Sequence, residues 1–222
     1  VSGGADSLVH RVRPASGEPE GALVLLHGRG TSEDDLVPLL DALDPERLLT
    51  GVTPRGPISA PPGGAHWYVV RRIGHPDATS FHSTYERAVA FVDALPEVLG
   101  VPLERTVLGG FSQGAVMSYA LALGAGRPHP AGVLALSGFV PDVDGFELDL
   151  DGAEGFPAAI AHGALDPVIG VDFGRAARDR LAAAEAAVTY HEAPVGHEID
   201  PAWIPELAGW LHETLQASRQ PG

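Results

Sequence analysis

Three short stretches of the chain carry residues that can do covalent chemistry on a carbonyl carbon. The first, Gly110-Phe111-Ser112-Gln113-Gly114, sets a serine between two glycines. The apolar run Thr106-Val107-Leu108-Gly109 precedes it, and the helical run Ala115-Val116-Met117-Ser118-Tyr119-Ala120-Leu121 follows. A strand that turns directly into a helix at a serine lifts the hydroxyl above the sheet. It also places the hydroxyl at the positive end of a helix, where developing negative charge is favoured. Strand and helix nearly touch at such a turn, so a Cβ at either glycine would collide. The plainer reading is a glycine-rich turn with Ser112 as the helix N-cap. The strand before and the helix after favour a nucleophile.

A serine hydroxyl is a poor nucleophile until a base takes its proton, and a histidine base needs a carboxylate to fix its tautomer. The second stretch, Gly196-His197-Glu198, supplies the base. It follows a predicted strand, Val188–Glu192, and Gly196 lets the backbone turn so that the imidazole points back over the sheet. His191 falls within that strand and His212 within the last helix, so neither sits at a junction. The third stretch, His162-Gly163-Ala164-Leu165-Asp166-Pro167-Val168, supplies the acid. Asp166 lies just past the predicted strand Ala158–His162, and Asp-Pro marks a turn. Asp142, Asp144, Glu147, Asp149 and Asp151 compete for the role, but they share one acidic loop that reads as solvated.

Acyl transfer passes through a tetrahedral oxyanion, best stabilised by fixed backbone N–H groups. The Gln113 amide is one candidate donor. The Arg29 amide, in His27-Gly28-Arg29-Gly30-Thr31, is the other, because the glycines allow close approach of backbone to substrate. The same loop can act as an ordinary strand-to-helix turn, with Thr31 or Ser32 capping a helix at Glu33. No Gly-Lys-Ser/Thr follows, so it is not a phosphate loop.

Elements that could hold these groups alternate along the chain. The predicted strands are Leu8–Val12, Ala22–His27, Leu48–Thr53, Thr106–Gly110, Val133–Ser137, Ala158–His162 and Val188–Glu192. The predicted helices are Glu33–Leu43, Tyr85–Leu99, Gln113–Leu123, Phe173–Ala187 and Trp203–Gln216. This alternation implies an α/β fold: a mostly parallel central sheet with helices on both faces. Leu8–Val12 mixes apolar and charged residues and reads as an edge strand. The segments Pro54–Ser80 and Pro141–Gly155 lack regular patterning. No repeat or linker divides the chain, so residues 1–222 are expected to form one domain.

Composition narrows the chemistry further. Apolar residues make up 45% and charged residues 19%, a globular balance. No apolar run is long enough to span a bilayer, and the first twenty residues lack a secretory pattern. With no cysteine, disulfides, thiolate zinc sites and a cysteine nucleophile are excluded, and a cytoplasmic location is expected. All fourteen basic residues are arginine, which removes lysine Schiff-base chemistry. The net charge of −15 argues against nucleic acid or anionic lipid as partners.

With these residues assembled, the chain resembles the carboxylesterase/phospholipase family of α/β-hydrolases, which includes acyl-protein thioesterases. The resemblance runs from about Gly21 to Leu215. Its landmarks are Leu25-Leu26-His27-Gly28-Arg29-Gly30, Trp67, Gly110-Phe111-Ser112-Gln113-Gly114, the His162–Val168 string and Gly196-His197-Glu198. It implies a Ser112, Asp166, His197 triad and an oxyanion hole from Arg29 and Gln113. Arg29 is a departure, since that position is often apolar in the family. So is the segment past Trp67, where many relatives carry Asp. Glu33–Leu39 looks more like bacterial members.

The expected activity is hydrolysis of small to medium apolar acyl or aryl esters through an acyl-enzyme. Alternatives are an acyl-protein thioesterase or lysophospholipase, and a binding module that kept the fold but lost turnover. Trp67, Ile73, Phe81, Phe139, Val168 and Ile169 are the candidate substrate walls, each of which could equally be core. The only partner expected is a small ester or thioester, without nucleic acid or integral membrane contact; a homodimer stays open. No cofactor and no metal are expected, because His75, Asp77 and His82 match no standard ligand spacing.

Overall fold

Residues 8–219 are described by a computed structural model of the chain. Ala22-Leu23-Val24-Leu25-Leu26 is buried at every position, as is Gly132–Leu136, which a strand covered on both faces requires. The strands are β1 (His10–Arg13), β2 (Ala22–Leu26), β3 (Thr50–Pro54), β4 (Ile58–Ala60), β5 (Gly64–His66), β6 (Val70–Arg72), β7 (His75–Pro76), β8 (Thr106–Phe111), β9 (Gly132–Leu136), β10 (Pro157–Gly163) and β11 (Ala187–Ala193). Seven of them form one sheet in the order β1-β3-β2-β8-β9-β10-β11. Only β1 runs antiparallel, at the edge beside β3, with His10 opposite Pro54. The sheet is therefore mostly parallel, as its composition suggests.

The helices are α1 (Val37–Leu43), α2 (Ala78–Leu99), α3 (Gln113–Leu123), α4 (Val171–Ala183) and α5 (Ile204–Ala217). Leu39, Leu40 and Leu43 of α1 and Leu207, Leu211 and Leu215 of α5 pack on one face of the sheet. The apolar sides of α2, α3 and α4 pack on the other. Helix α3 is buried at every residue, which suits its almost uninterrupted apolar sequence.

Three helix boundaries differ from the sequence expectation. Helix α1 begins at Val37 rather than Glu33, with Pro38 in its first turn, where a missing N–H costs nothing. Glu33 stays outside it and pairs with Arg55 at 2.9 Å. Helix α2 begins at Ala78, well before Tyr85, because Asp77 caps it by accepting the Ser80 N–H at 3.0 Å. Helix α4 stops at Ala183 although alanines continue to Ala187. The chain reverses there through a Schellman motif: Ala186 N–H donates to the Leu181 carbonyl and Glu185 N–H to Ala182, with Glu185 at φ 60°. No glycine marks that turn, so the end is invisible in the sequence.

The segment from Pro54 to Ser80 is not irregular. It holds two hairpins, β4–β5 and β6–β7, and the first turn of α2. At the sheet edge, the buried Arg13 guanidinium of β1 pairs with the fully buried Asp44 and donates to the Asp44 and Leu49 carbonyls. Asp44 also accepts the Leu48 and Leu49 amides, so both of its carboxylate oxygens are engaged, while the buried Arg13 Nε has no partner among the described residues.

The strand order reverses between β2 and β8: the chain passes from β2 outward to β3, then returns to place β8 on the other side. A crevice opens beyond the carboxyl ends of strands at such a point. The loop after β2 and the turn after β8 meet there.

Candidate active site

Ser112 sits at the turn between β8 and α3 with φ 55° and ψ −117°, a conformation a non-glycine residue adopts only under constraint. The constraint is visible in its neighbours. A Cβ on Gly110 would come within 2.5 Å of the Gly114 carbonyl carbon, and one on Gly114 within 1.9 Å of the Leu26 carbonyl oxygen. The Ser112 side chain makes no capping bond. Its hydroxyl instead reaches His197 Nε2 at 2.9 Å.

His197 is brought there by the loop after β11. β10 and β11 pair in parallel up to Gly163 opposite Ala193. Beyond that point Ala164 N–H donates to the Ala193 carbonyl and Leu165 N–H to the Val195 carbonyl. A Cβ on Gly163 would fall 2.1 Å from the Gly196 carbonyl oxygen, so glycine permits the two loops to close on each other. His197 Nδ1 then lies 2.6 Å from Asp166 Oδ2. The other Asp166 oxygen accepts the amides of Val168 at 2.8 Å and Ile169 at 2.9 Å. With Nδ1–H donating to the carboxylate, the Nε2 lone pair faces the serine hydroxyl. The Phe111 ring packs on the imidazole at 4.8 Å between centroids.

The loop after β2 carries the expected second amide. Among the described residues, neither the Arg29 nor the Gln113 backbone N–H donates to another group. The loop is held by the first hairpin: Gly30 N–H donates to the Ala65 carbonyl and Ala65 N–H to the Thr31 carbonyl, both at 2.7 Å. Trp67 Nε1–H donates to the His27 carbonyl at 2.9 Å. The His27 ring is buried, accepts the Gly56 N–H at Nε2 and approaches the Gly28 carbonyl at Nδ1. Burial lowers its pKa and keeps it neutral, which that acceptor role demands.

A cavity of about 80 Å³ opens over Ser112. Ile73, Phe139, Val168 and Ile169 line it, as do Arg29 and Gln113. Two expected wall residues do not. Trp67 and Phe81 are completely buried and belong to the core. Trp67 acts at one remove, through its bond to the His27 carbonyl. Phe81 lies in an aromatic cluster with Tyr68, Tyr85 and Phe146.

A family model described as phospholipase/carboxylesterase matches residues 9–215. The chain belongs to this phospholipase/carboxylesterase family. Acyl-protein thioesterase 1 of Candida albicans is 30% identical over 180 residues, 73% of this chain and 78% of that protein. A carboxylesterase structure from Mesorhizobium loti superposes with a TM-score of 0.80 at 26% identity, covering 91% of this chain and 93% of that one. The fold is also that of a Bacillus cereus carboxylesterase, with a TM-score of 0.82 at 23% identity over 93% of this chain and 94% of that one. This member of the phospholipase/carboxylesterase family is a hydrolase with the α/β-hydrolase fold.

Sequence reasoning overlooked several residues of this hydrolase. Tyr68, Val70 and Arg72 line the cavity from the Pro54–Ser80 segment, whose hairpins carried no periodic signal. His162 is fully buried beneath the acid: its Nε2 meets the Ile169 carbonyl at 2.7 Å and lies 3.6 Å from Asp166 Oδ2. The His162–Asp166 spacing was present in the motif, but only the fold shows that the histidine braces the 166–169 turn. Of the weak metal candidates, Asp77 caps α2 and His82 meets the Asp144 carbonyl. Among the described residues no group of three His, Cys, Asp or Glu could hold a metal ion, and no helix is long and apolar enough to cross a membrane.

Proposed function

We propose that Ser112, His197 and Asp166 form the catalytic triad of an esterase that cleaves carboxylic esters of small to medium acyl or aryl groups. The observation that carries this reading is the continuous hydrogen-bond chain, 2.9 Å from Ser112 to His197 and 2.6 Å from His197 to Asp166. His197 takes the serine proton as the oxygen attacks the carbonyl carbon. The tetrahedral oxyanion is met by the free Arg29 and Gln113 amides. His197 then protonates the leaving group, and an acyl-enzyme remains. Water, deprotonated by His197, attacks the acyl carbon, and the acid leaves as Ser112 regains its proton. Asp166 keeps its charge throughout and steadies the imidazolium.

The cavity of about 80 Å³ supports a short acyl group. A thioester reading is favoured by the Candida albicans relative, whose name is acyl-protein thioesterase 1. The absence of cysteine supports a cytoplasmic setting for either activity. Hydrolysis of p-nitrophenyl butyrate by the wild type and its loss in Ser112→Ala, with fluorophosphonate labelling lost in parallel, is the expected result. Full activity in Ser112→Ala would refute the assignment. A chain-length series of esters and thioesters separates the two substrate classes.

A further inference from the structure

We propose that the preferred substrate is a half-ester of a short dicarboxylic acid, whose free carboxylate is held by Arg72 and Tyr68, with Arg29 as a second cation at the mouth. This inference rests on Ser112 being the nucleophile and specifies what the cavity beside it accepts.

Three observations lead to it. Arg29 and Arg72 both line the cavity that holds Ser112. On a chain of net charge −15, most arginines have a carboxylate partner, yet among the described residues neither of these two forms an ion pair. The adjacent Arg71 does, with Asp77 at 2.9 Å. Asp142 and Asp144 share an outer groove with Arg72 and still do not engage it. An acidic protein that leaves two arginines unpaired around its reactive serine, Arg29 at a position shared with the His66 groove, has an electrostatic complement to an anion there.

The Tyr68 hydroxyl is the second kind of evidence. Tyr68 is 2% exposed and lines the same cavity. Among the described residues its hydroxyl finds no hydrogen-bond partner, and it is not wholly sealed, so it is open to a further acceptor. Burial raises its pKa far above the ordinary range, so it stays a donor. A phenol hydroxyl and a guanidinium around one anionic oxygen make charge-assisted hydrogen bonds. The remaining walls, among them Ile73, Phe139 and Ile169, suit the methylene chain between that anion and the scissile carbonyl.

The anion belongs on the acyl side because of the shape of the site. The cavity with Ser112 is small, whereas a groove of about 460 Å³ shares Arg29 with it and is lined also by Ser59, Pro61 and His66. That groove has room for a leaving group. The chemistry at Ser112 is unchanged: the ester C–O bond breaks, and water supplies the hydroxyl of the released diacid.

The test compares kcat/KM for monoethyl glutarate and ethyl pentanoate, which match in acyl length, by following ethanol release. The wild type should favour the half-ester by roughly tenfold or more, and added salt should shrink that ratio. Arg72→Met should cut the ratio roughly tenfold and Tyr68→Phe about threefold, with unfolding midpoints measured to show that each variant is folded. A ratio near one in the wild type, or one unmoved by Arg72→Met, would overturn the proposal while leaving the esterase reading standing. A preference found only when the carboxylate sits on the leaving group, as in the butyrate ester of 4-hydroxybenzoate against phenyl butyrate, would overturn the acyl-side placement. If neither ester is cleaved and fluorophosphonate does not label Ser112, the parent reading fails instead.

Discussion

The side-chain oxygen of Gln113 accepts the backbone N–H of Trp67 at 3.0 Å, and the same amide group donates to the Tyr68 carbonyl at 2.9 Å. One residue thus offers its backbone N–H toward the crevice and uses its side chain to hold the loop opposite. Trp67 completes the circuit through its indole bond to the His27 carbonyl, two residues before Arg29. The two amides proposed as the oxyanion hole are therefore coupled through a single buried glutamine. Replacing it with leucine leaves the Trp67 N–H and Tyr68 carbonyl buried and unpaired, at about 1–3 kcal/mol for each group. Gln113→Leu should lower the unfolding midpoint and reduce kcat more than it raises KM. Gln113→Glu keeps the acceptor but turns an oxygen toward the Tyr68 carbonyl, so it should not restore either quantity. Wild-type kinetics in Gln113→Leu would separate the side chain from the hole.

Glycine at 114 is a steric necessity, and its variant should show it. A Cβ there would lie 1.9 Å from a backbone oxygen that has no freedom to move, because Leu26 is paired with Gly110 inside the sheet. Gly114→Ala should lose at least about 3 kcal/mol in denaturant unfolding, the upper end of overpacking costs, or yield no folded protein. Gly209, in the middle of α5, is the control. A Cβ there meets nothing within 4 Å. Gly209→Ala should raise stability by about 0.5–1 kcal/mol through helix propensity alone.

His27 makes the fold sensitive to mild acid. Its pKa is lowered by burial from the ordinary value of 6.5, so in acid the unfolded chain binds a proton that the folded chain refuses. Stability from this group is complete above about 6.5 and is lost as the pH falls from there toward the folded value. His66, lowered by burial and by nearby Arg29, acts in the same direction. The unfolding midpoint should fall between about pH 7.5 and about pH 5.5, and His27→Gln should flatten that slope. An equal slope in the variant would assign the effect to other groups.

Asp44 and Arg13 should behave as one unit. Removing either alone strands a charge in the protein interior, at about 3–5 kcal/mol. Asp44→Asn and Arg13→Met should each destabilise strongly in urea unfolding, whereas the double variant should cost less than the sum of the two. Additive losses would mean that the pair is not coupled.

Much of the architecture was readable because it is local. Most of the seven sheet strands are short apolar runs punctuated by glycine and proline, and the edge strands β1 and β11 differ by carrying charge. The strand–turn–helix around Ser112 is equally local: the residues that strain the turn and the glycines that relieve it lie within five positions. Asp166 and His197 follow from the same rule, since parallel strands deliver their carboxyl ends to one side of the sheet. By itself the sequence determined that a serine, a histidine and an aspartate stand beyond three strands of one parallel sheet.

Tertiary structure decided which side chains surround them. Trp67 and Tyr68 are adjacent buried aromatics, yet only Tyr68 lines the cavity; Gln113, some forty-five residues away, holds the pair by accepting the Trp67 N–H and donating to the Tyr68 carbonyl. Arg29 and Arg72 line the same opening from separate segments, the loop after β2, which the first hairpin pins, and the second hairpin. These are long-range pairings between irregular segments, where no hydrophobic period records the partner. The sequence therefore marked the residues proposed to react, and the placement of the two hairpins set the polarity of the space in front of them.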